Sequence, residues 1–158
     1  MYPVFRRYCS IDKNLLTNYR FHSNYDNQLK ILFLKNFFIY PKFIDEHEEL
    51  GLIDEITPKM RRMRYEYDHW DNFCGRTIAG LSLLTDSIMR LISEKDQMSV
   101  DILVSRRSLY IMRDFVRYNF THEILPNEIS VFKGKKITKG RRISLICRSN
   151  PKEVPEAT

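Results

Sequence analysis

The sequence predicts an α+β chain that is mainly β, with a helical N-terminal portion ahead of an antiparallel sandwich or barrel. Three observations carry this expectation. From Phe73 onward, short apolar segments recur at regular spacing with turn-forming residues between them and no clear helix. Upstream, Asp45 followed by Glu48 has capping-box spacing, and Leu50, Ile53 and Ile56 then return at helical intervals. Aromatic residues make up 13% of 158 residues, enough for one core packed largely by rings.

Taken in order, residues 1–25 hold Arg6, Arg7, Lys13 and Arg20 against Asp12 alone and lack a continuous apolar stretch. This composition suits a mitochondrial transit peptide better than a secretory signal, with a disordered basic tail as the alternative. Residues 26–72 form a helical support region. Within it, residues 27–44 read as extended or mixed, and the helix begun at Asp45 runs about three turns to end near Thr57-Pro58, because a residue before proline avoids the α region. The acidic run over 45–55 and the basic run over 59–64 read as a solvated helix face and a charged connector. Residues 73–150 are the β-rich core. TIAGLSLL and SIMRLIS form a hairpin about Thr85-Asp86-Ser87, VDILV and SLYIM flank Ser105-Arg106-Arg107, and FVRYNFTHEIL and RRISLICR complete the set. Residues 151–158 are a tail.

Composition narrows the function classes. Three cysteines without a CxxC pair point to a reducing compartment and away from structural zinc. No apolar run is long enough to span a membrane, since Ile31–Ile39 is interrupted by Lys35 and Asn36. Half of the net charge of +6 sits in the first 25 residues, so the remainder gives no strong nucleic-acid signal.

Two stretches carry candidate chemistry. In RRISLICR, Arg142 and Arg148 are an even number of residues apart and share a strand face with Ser144 and Ile146. Such a pair either reaches water from a rim strand or satisfies a bound carboxylate. His122, in YNFTHEIL, is either a half-buried structural histidine or a metal ligand. A His-x-Asp, His69-Trp70-Asp71, precedes them, and the order His-x-Asp, distant His, Arg is that of a facial-triad iron site serving a 2-oxo acid.

With those residues in view, the chain resembles the AlkB family of Fe(II)/2-oxoglutarate-dependent dioxygenases, in its mitochondrial branch. The resemblance rests on RRMRYEYDHWD (61–71), FCGRTIAGLSLL (73–84) with SIMRL (87–91), SLYIMRDFVRYNFTHEIL (108–125) and KGRRISLICRS (139–149), in that order. It implies a double-stranded β-helix, or jelly-roll, core with Fe(II) and 2-oxoglutarate as cofactors. His122 is then the distal iron ligand, Arg142 the 2-oxoglutarate carboxylate anchor, Tyr110 a cofactor-pocket residue and Arg148 the second arginine of the motif. The implied setting is the mitochondrial matrix, with roles in fatty-acid metabolism and programmed necrosis. The substrate is open among protein, lipid-related molecules and mitochondrial RNA.

One departure bears on activity. In the family, the YEYDHWD-like and FCG segments are separated by several dozen residues that carry a helix, the first barrel strands and the ligand His-x-Asp. Here Asp71 is followed at once by Asn72-Phe73-Cys74-Gly75. His69 and Asp71 therefore correspond to the upstream segment and are only surrogates for the missing ligands. The expectation is an incomplete jelly roll with impaired catalysis, folding poorly alone. The alternative is a non-catalytic interaction or regulatory isoform, or a product without function.

Overall fold

A computed structural model describes residues 13–22, 26–62 and 74–150. His69 and Asp71 lie outside the described residues.

The N-terminal region is more ordered by hydrogen bonding than its composition suggested. Asp26 accepts a hydrogen bond from the Gln28 N–H at 3.2 Å and starts helix α1 (Asn27–Asn36). The extended or mixed reading of this stretch is thus corrected: only β2 (Phe37–Tyr40) is extended. The helical period was masked because α1 fully buries Phe33 alone, while Ile31 and Leu32 stay exposed. Helix α2 (Glu46–Arg62) begins with the expected capping box. Glu48 N–H donates to Asp45 Oδ1, and Asp45 N–H donates to Glu48 Oε2, both at 2.8 Å. It does not stop at Thr57-Pro58. Asp54 and Pro58 are exposed, so the carbonyl that proline leaves unpaired faces water, and the Thr57 hydroxyl donates back to Ile53 O at 2.6 Å.

The remaining elements are β1 (Tyr19–Phe21), β3 (Thr77–Leu83), β4 (Ser87–Ser93), β5 (Met98–Val104), β6 (Leu109–Arg113), α3 (Asp114–Asn119), β7 (Thr121–Ile124), β8 (Val131–Phe132), β9 (Lys135–Lys136) and β10 (Ile143–Arg148). They build two antiparallel four-stranded sheets, ordered β1-β5-β4-β7 and β10-β3-β6-β2, plus the small β8-β9 hairpin. The hairpins expected about residues 85–87 and 105–107 are corrected: β3 and β4, and likewise β5 and β6, lie in opposite sheets, so both turns carry the chain across the sandwich, and the hairpin is β4–β5. Local alternation marks strands and turns but not which strands pair. The expectation of no helix in this half is corrected by α3, which buries Val116 against α1 and β6 instead of continuing a strand.

The sheets face one another. Met89, Leu91, Val100 and Ile102 from the first meet Phe37, Ile39, Tyr110 and Met112 from the second in one buried cluster. The β1 and β2 edges are joined: Tyr19 is buried and its hydroxyl donates to Phe37 O at 3.2 Å. Its strand lies inside the segment read as a presequence. On the outer face, buried Asp101 accepts from Arg90 at 2.7 and 3.0 Å and pairs with His22 at 2.7 Å, which fastens β1 to β5 and β4. These contacts hold the Asp101 carboxyl below the usual range against the opposing effect of burial.

Helix α2 is tied to the turns at one end of the sandwich through Glu49. This carboxylate is fully buried, accepts the Leu84 N–H at 2.7 Å and pairs with Arg106 Nε at 2.7 Å. All four edge strands pair with one strand each among the described residues; the β1 and β2 edges are bridged by Tyr19, and the β7 and β10 edges lie at the other side of the sandwich.

Candidate functional site

The site lies between the β7 and β10 edges, and strand parity explains how it forms. Tyr110 on β6 sits opposite Gly80 on β3, which sits opposite Ile146 on β10. Cross-strand partners share a face, so Tyr110, Gly80 and Ile146 all look into the sandwich, as do Ser144 and Arg148 at two-residue intervals. Arg142 continues that parity just before β10. The spacing argument for Arg142 and Arg148 therefore holds. On the opposite sheet, His122 pairs with buried Leu91 and so also faces inward, yet it is exposed because this end is open.

A stack of rings sets the position of Tyr110. Phe33 stacks on Phe37 with centroids 5.8 Å apart, and Phe37 stacks on Tyr110 at 6.2 Å with planes 6° apart. The other side of the Tyr110 ring lies on Gly80, where a Cβ would collide with it. The missing side chain lets the phenol cross β3 towards Ser144 and Arg142 on the neighbouring strand. Gly80→Ala is accordingly expected to cost about 1–3 kcal/mol of stability and to weaken ligand binding with it. Denaturant midpoints and calorimetric titration check this, and no change in either would mean the ring swings aside freely.

The electrostatics of this end are cationic. Burial pushes the Tyr110 phenol upward in pKa, while Ser144, Arg142 and Arg148 pull it back. Burial lowers the Arg142 guanidinium, with Tyr110 opposing; a guanidinium nonetheless keeps its charge. Although part of the His122 side chain reaches solvent, desolvation of its ring by the surrounding protein, then the charges of Arg117 and Arg142, lower the imidazole and favour its neutral form. The phenol influences Ser144 and Arg142 without a well-formed bond to either. Arg142 Nε, Arg142 Nη2 and Ser144 Oγ are all buried with no hydrogen-bond partner among the described residues. Buried, unpaired donors of this kind are costly unless an acceptor arrives, and a planar carboxylate suits the guanidinium fork.

The structure thus brings together four of the residues singled out in the sequence, Tyr110, His122, Arg142 and Arg148. The iron half is different. Among the described residues no three His, Cys, Asp or Glu side chains are grouped to hold a metal. His122 is the one proposed ligand within them, and His69 and Asp71 lie outside them. Gly80 and Phe37 were missed as site residues. The glycine inside an otherwise β-forming run, TIAGLSLL, was the available signal.

Facing antiparallel sheets with an anion-receptive open end make the chain a jelly-roll protein of the kind that 2-oxoglutarate-dependent dioxygenases use. No family model matches it, but individual proteins do. It is 33% identical over 172 aligned positions to mouse alpha-ketoglutarate-dependent dioxygenase alkB homolog 7, mitochondrial, covering 72% of this chain and 78% of the relative. The cattle protein of the same name is 34% identical over 172 positions with the same coverage. Uncharacterized protein L905 of Acanthamoeba polyphaga mimivirus is 33% identical over 121 positions, covering 76% of this chain and 57% of the viral protein. The chain belongs to the AlkB-like dioxygenase family, related to mitochondrial alkB homolog 7.

The alignments differ in a telling way. Because 72% of 158 residues is about 114, about 58 of the 172 positions aligned with the mouse and cattle proteins have no counterpart here. With the viral protein, 76% of the chain is about 120 residues, nearly all of the 121 aligned positions. Any such stretch of this chain must cross residues 72 and 73. The viral relative therefore aligns through that junction without a comparable gap.

Proposed function

We propose that this chain is a mitochondrial 2-oxoglutarate-binding member of the family whose iron site is incomplete, leaving it catalytically impaired. The single observation that carries the reading is the buried, unpartnered donor set of Arg142 and Ser144 beside Tyr110. Arg142 and Ser144 would hold one carboxylate, Tyr110 would border it, and Arg148 would add positive charge from the other side. His122 would face the remainder of the ligand. In an intact family member, Fe(II) and 2-oxoglutarate supply the oxidative decarboxylation that drives substrate oxidation. Here, the protein's own contribution is to orient the dicarboxylate and to keep His122 neutral.

The residues absent relative to the mouse and cattle proteins are placed, in this reading, at the 72–73 junction, where the ligand His-x-Asp is expected. The viral alignment, which crosses the junction without a comparable gap, favours a shortened protein over an error in the sequence. Mitochondrial placement follows the names of two relatives, and the matrix is proposed as the compartment. A presequence compatible with sheet pairing ends before Tyr19. Roles in fatty-acid metabolism and programmed necrosis would then be regulatory. Among the described residues no helix is long and apolar enough to cross a membrane.

Anaerobic titration separates the two halves of this reading. With a chelator present, calorimetry is expected to show 2-oxoglutarate binding. With Fe(II) present, the metal-to-ligand charge-transfer band of a ternary complex is expected to be missing. A band that disappears in His69→Ala and Asp71→Ala would show that these surrogates complete the site and that the impaired reading is wrong.

A further inference from the structure

A second feature lies outside that site. Residues 131–142, VFKGKKITKGRR, contain six cations and no acid, a number equal to the net charge of the whole chain. Their arrangement is not that of an ordinary solvated loop. Lys139 Nζ is spent on Leu125 O at 2.6 Å and Lys133 Nζ on Thr17 O at 2.9 Å, while Arg142 points into the sandwich. Lys135 and Lys136 on β9, together with Arg141, remain exposed and make no ion pair among the described residues.

The same hairpin exposes apolar side chains. Val131 and Lys136 are cross-strand partners and therefore share one face, and Ile129 lies beside them. Val131 is 41% and Ile129 53% exposed, whereas Phe132, on the opposite face, is anchored in a core cluster with Ile88, Leu125 and Ile137. Backbone contacts brace the loop: Arg20 Nη1 donates to Val131 O, and Ile137 N–H donates to Ser130 O at 2.9 Å. Beside the hairpin, a recess of about 270 Å³ is lined by Thr85, Arg106, Lys135, Lys136 and Thr138, with Asp86 its single acid.

We propose that this hairpin docks the protein on an anionic lipid bilayer, with Ile129 and Val131 entering the interface and Lys136, which shares the face of Val131, and Arg141 meeting lipid phosphates, while Lys135, the partner of Phe132, faces the other way. A braced hairpin carrying aliphatic side chains amid lysines combines the two attractions that interfacial binding needs. Single-stranded nucleic acid would call for exposed rings on which bases stack. The one ring of this hairpin, Phe132, is buried.

The test is sedimentation of the full chain with vesicles of phosphatidylcholine alone and of phosphatidylcholine containing phosphatidylglycerol. Binding is expected only to the anionic vesicles and should weaken as salt rises. Removing Lys136 should lower the partition coefficient about fivefold, and Lys136→Glu with Arg141→Glu should lower it further than removal of both. Ile129→Ser with Val131→Ser should abolish the binding that survives high salt. All four positions border solvent, so thermal melts are expected to match the parent. Should a variant fail to fold, the salt and lipid dependence of the parent still decides the matter. Equal binding to neutral vesicles, unchanged binding by both variants, or tighter binding to an RNA oligonucleotide with the same lysine dependence would each overturn the proposal. None of these readouts involves 2-oxoglutarate.

Discussion

Replacing Arg106 with alanine is expected to destabilise the protein by about 3–5 kcal/mol, the range found when one partner of a buried ion pair is removed. The asymmetry of the Glu49–Arg106 pair explains why the arginine is the more damaging loss. Glu49 has no exposed surface, whereas Arg106 keeps 36% of its side chain exposed. Without Arg106, the Glu49 carboxylate stays buried with only the Leu84 N–H to compensate its charge. Without Glu49, Arg106 turns to water and to Glu46, already 3.6 Å away. Glu49→Ala then costs mainly the orphaned Leu84 N–H and the vacated space, about 1–3 kcal/mol for the unpaired donor. Adding Glu49→Gln to Arg106→Ala should recover part of the loss, because an amide oxygen still accepts from Leu84 without carrying a charge. Denaturant midpoints of the two single variants and the double variant test this ordering. A loss below that of Glu49→Ala, or no recovery in the double variant, would mean that water reaches the carboxylate. The effect is large relative to the whole because the pair joins α2 to the β3–β4 and β5–β6 turns, and small domains have little stability to spare.

Much of this architecture was legible in the sequence, and the parts that were not share a cause. The capping box at Asp45 and Glu48 is a local signal and appears in the structure as a reciprocal pair of hydrogen bonds. Strand parity is also local, so Arg142, Ser144 and Arg148 could be assigned one face before any tertiary contact was known. Helices α1 and α3 escaped because their apolar residues are set by what they pack against. Phe33 meets Val116 and Phe120 across two segments far apart in sequence, and no periodicity within LKILFL or DFVRYN encodes that meeting. Thr57-Pro58 misled for a related reason, since a local bias against helix yields when the freed carbonyl can find water. At the site, Tyr110 and Arg142 entered through resemblance to a family. That Gly80 opens the path between them is a cross-strand fact, set by the pairing of three strands.

Arg142→Met is expected to have two effects of opposite sign, and their combination is hard to obtain any other way. Two nitrogens of Arg142 are buried with no partner among the described residues, and burial pushes the guanidinium pKa down. An apolar side chain of similar length removes that desolvated charge, so thermal stability should hold or rise, as it does when buried ionic groups give way to packed apolar ones. Binding of 2-oxoglutarate should fall by about 2–5 kcal/mol, or roughly 30-fold to several thousandfold in Kd, because the carboxylate loses a charged fork with no water to replace it. Arg142→Lys keeps the charge but offers a point donor where two parallel N–H groups are needed. Its affinity should fall between parent and Arg142→Met. Calorimetric titration with 2-oxoglutarate, beside a monocarboxylate of equal length, reads both the loss and its dependence on the second carboxylate. A variant that melts lower and binds less would describe only damaged folding. One that melts no lower and still binds would remove Arg142 from the site. Loss of binding in a protein at least as stable as its parent would identify Arg142 as a residue kept for its ligand at the expense of the fold.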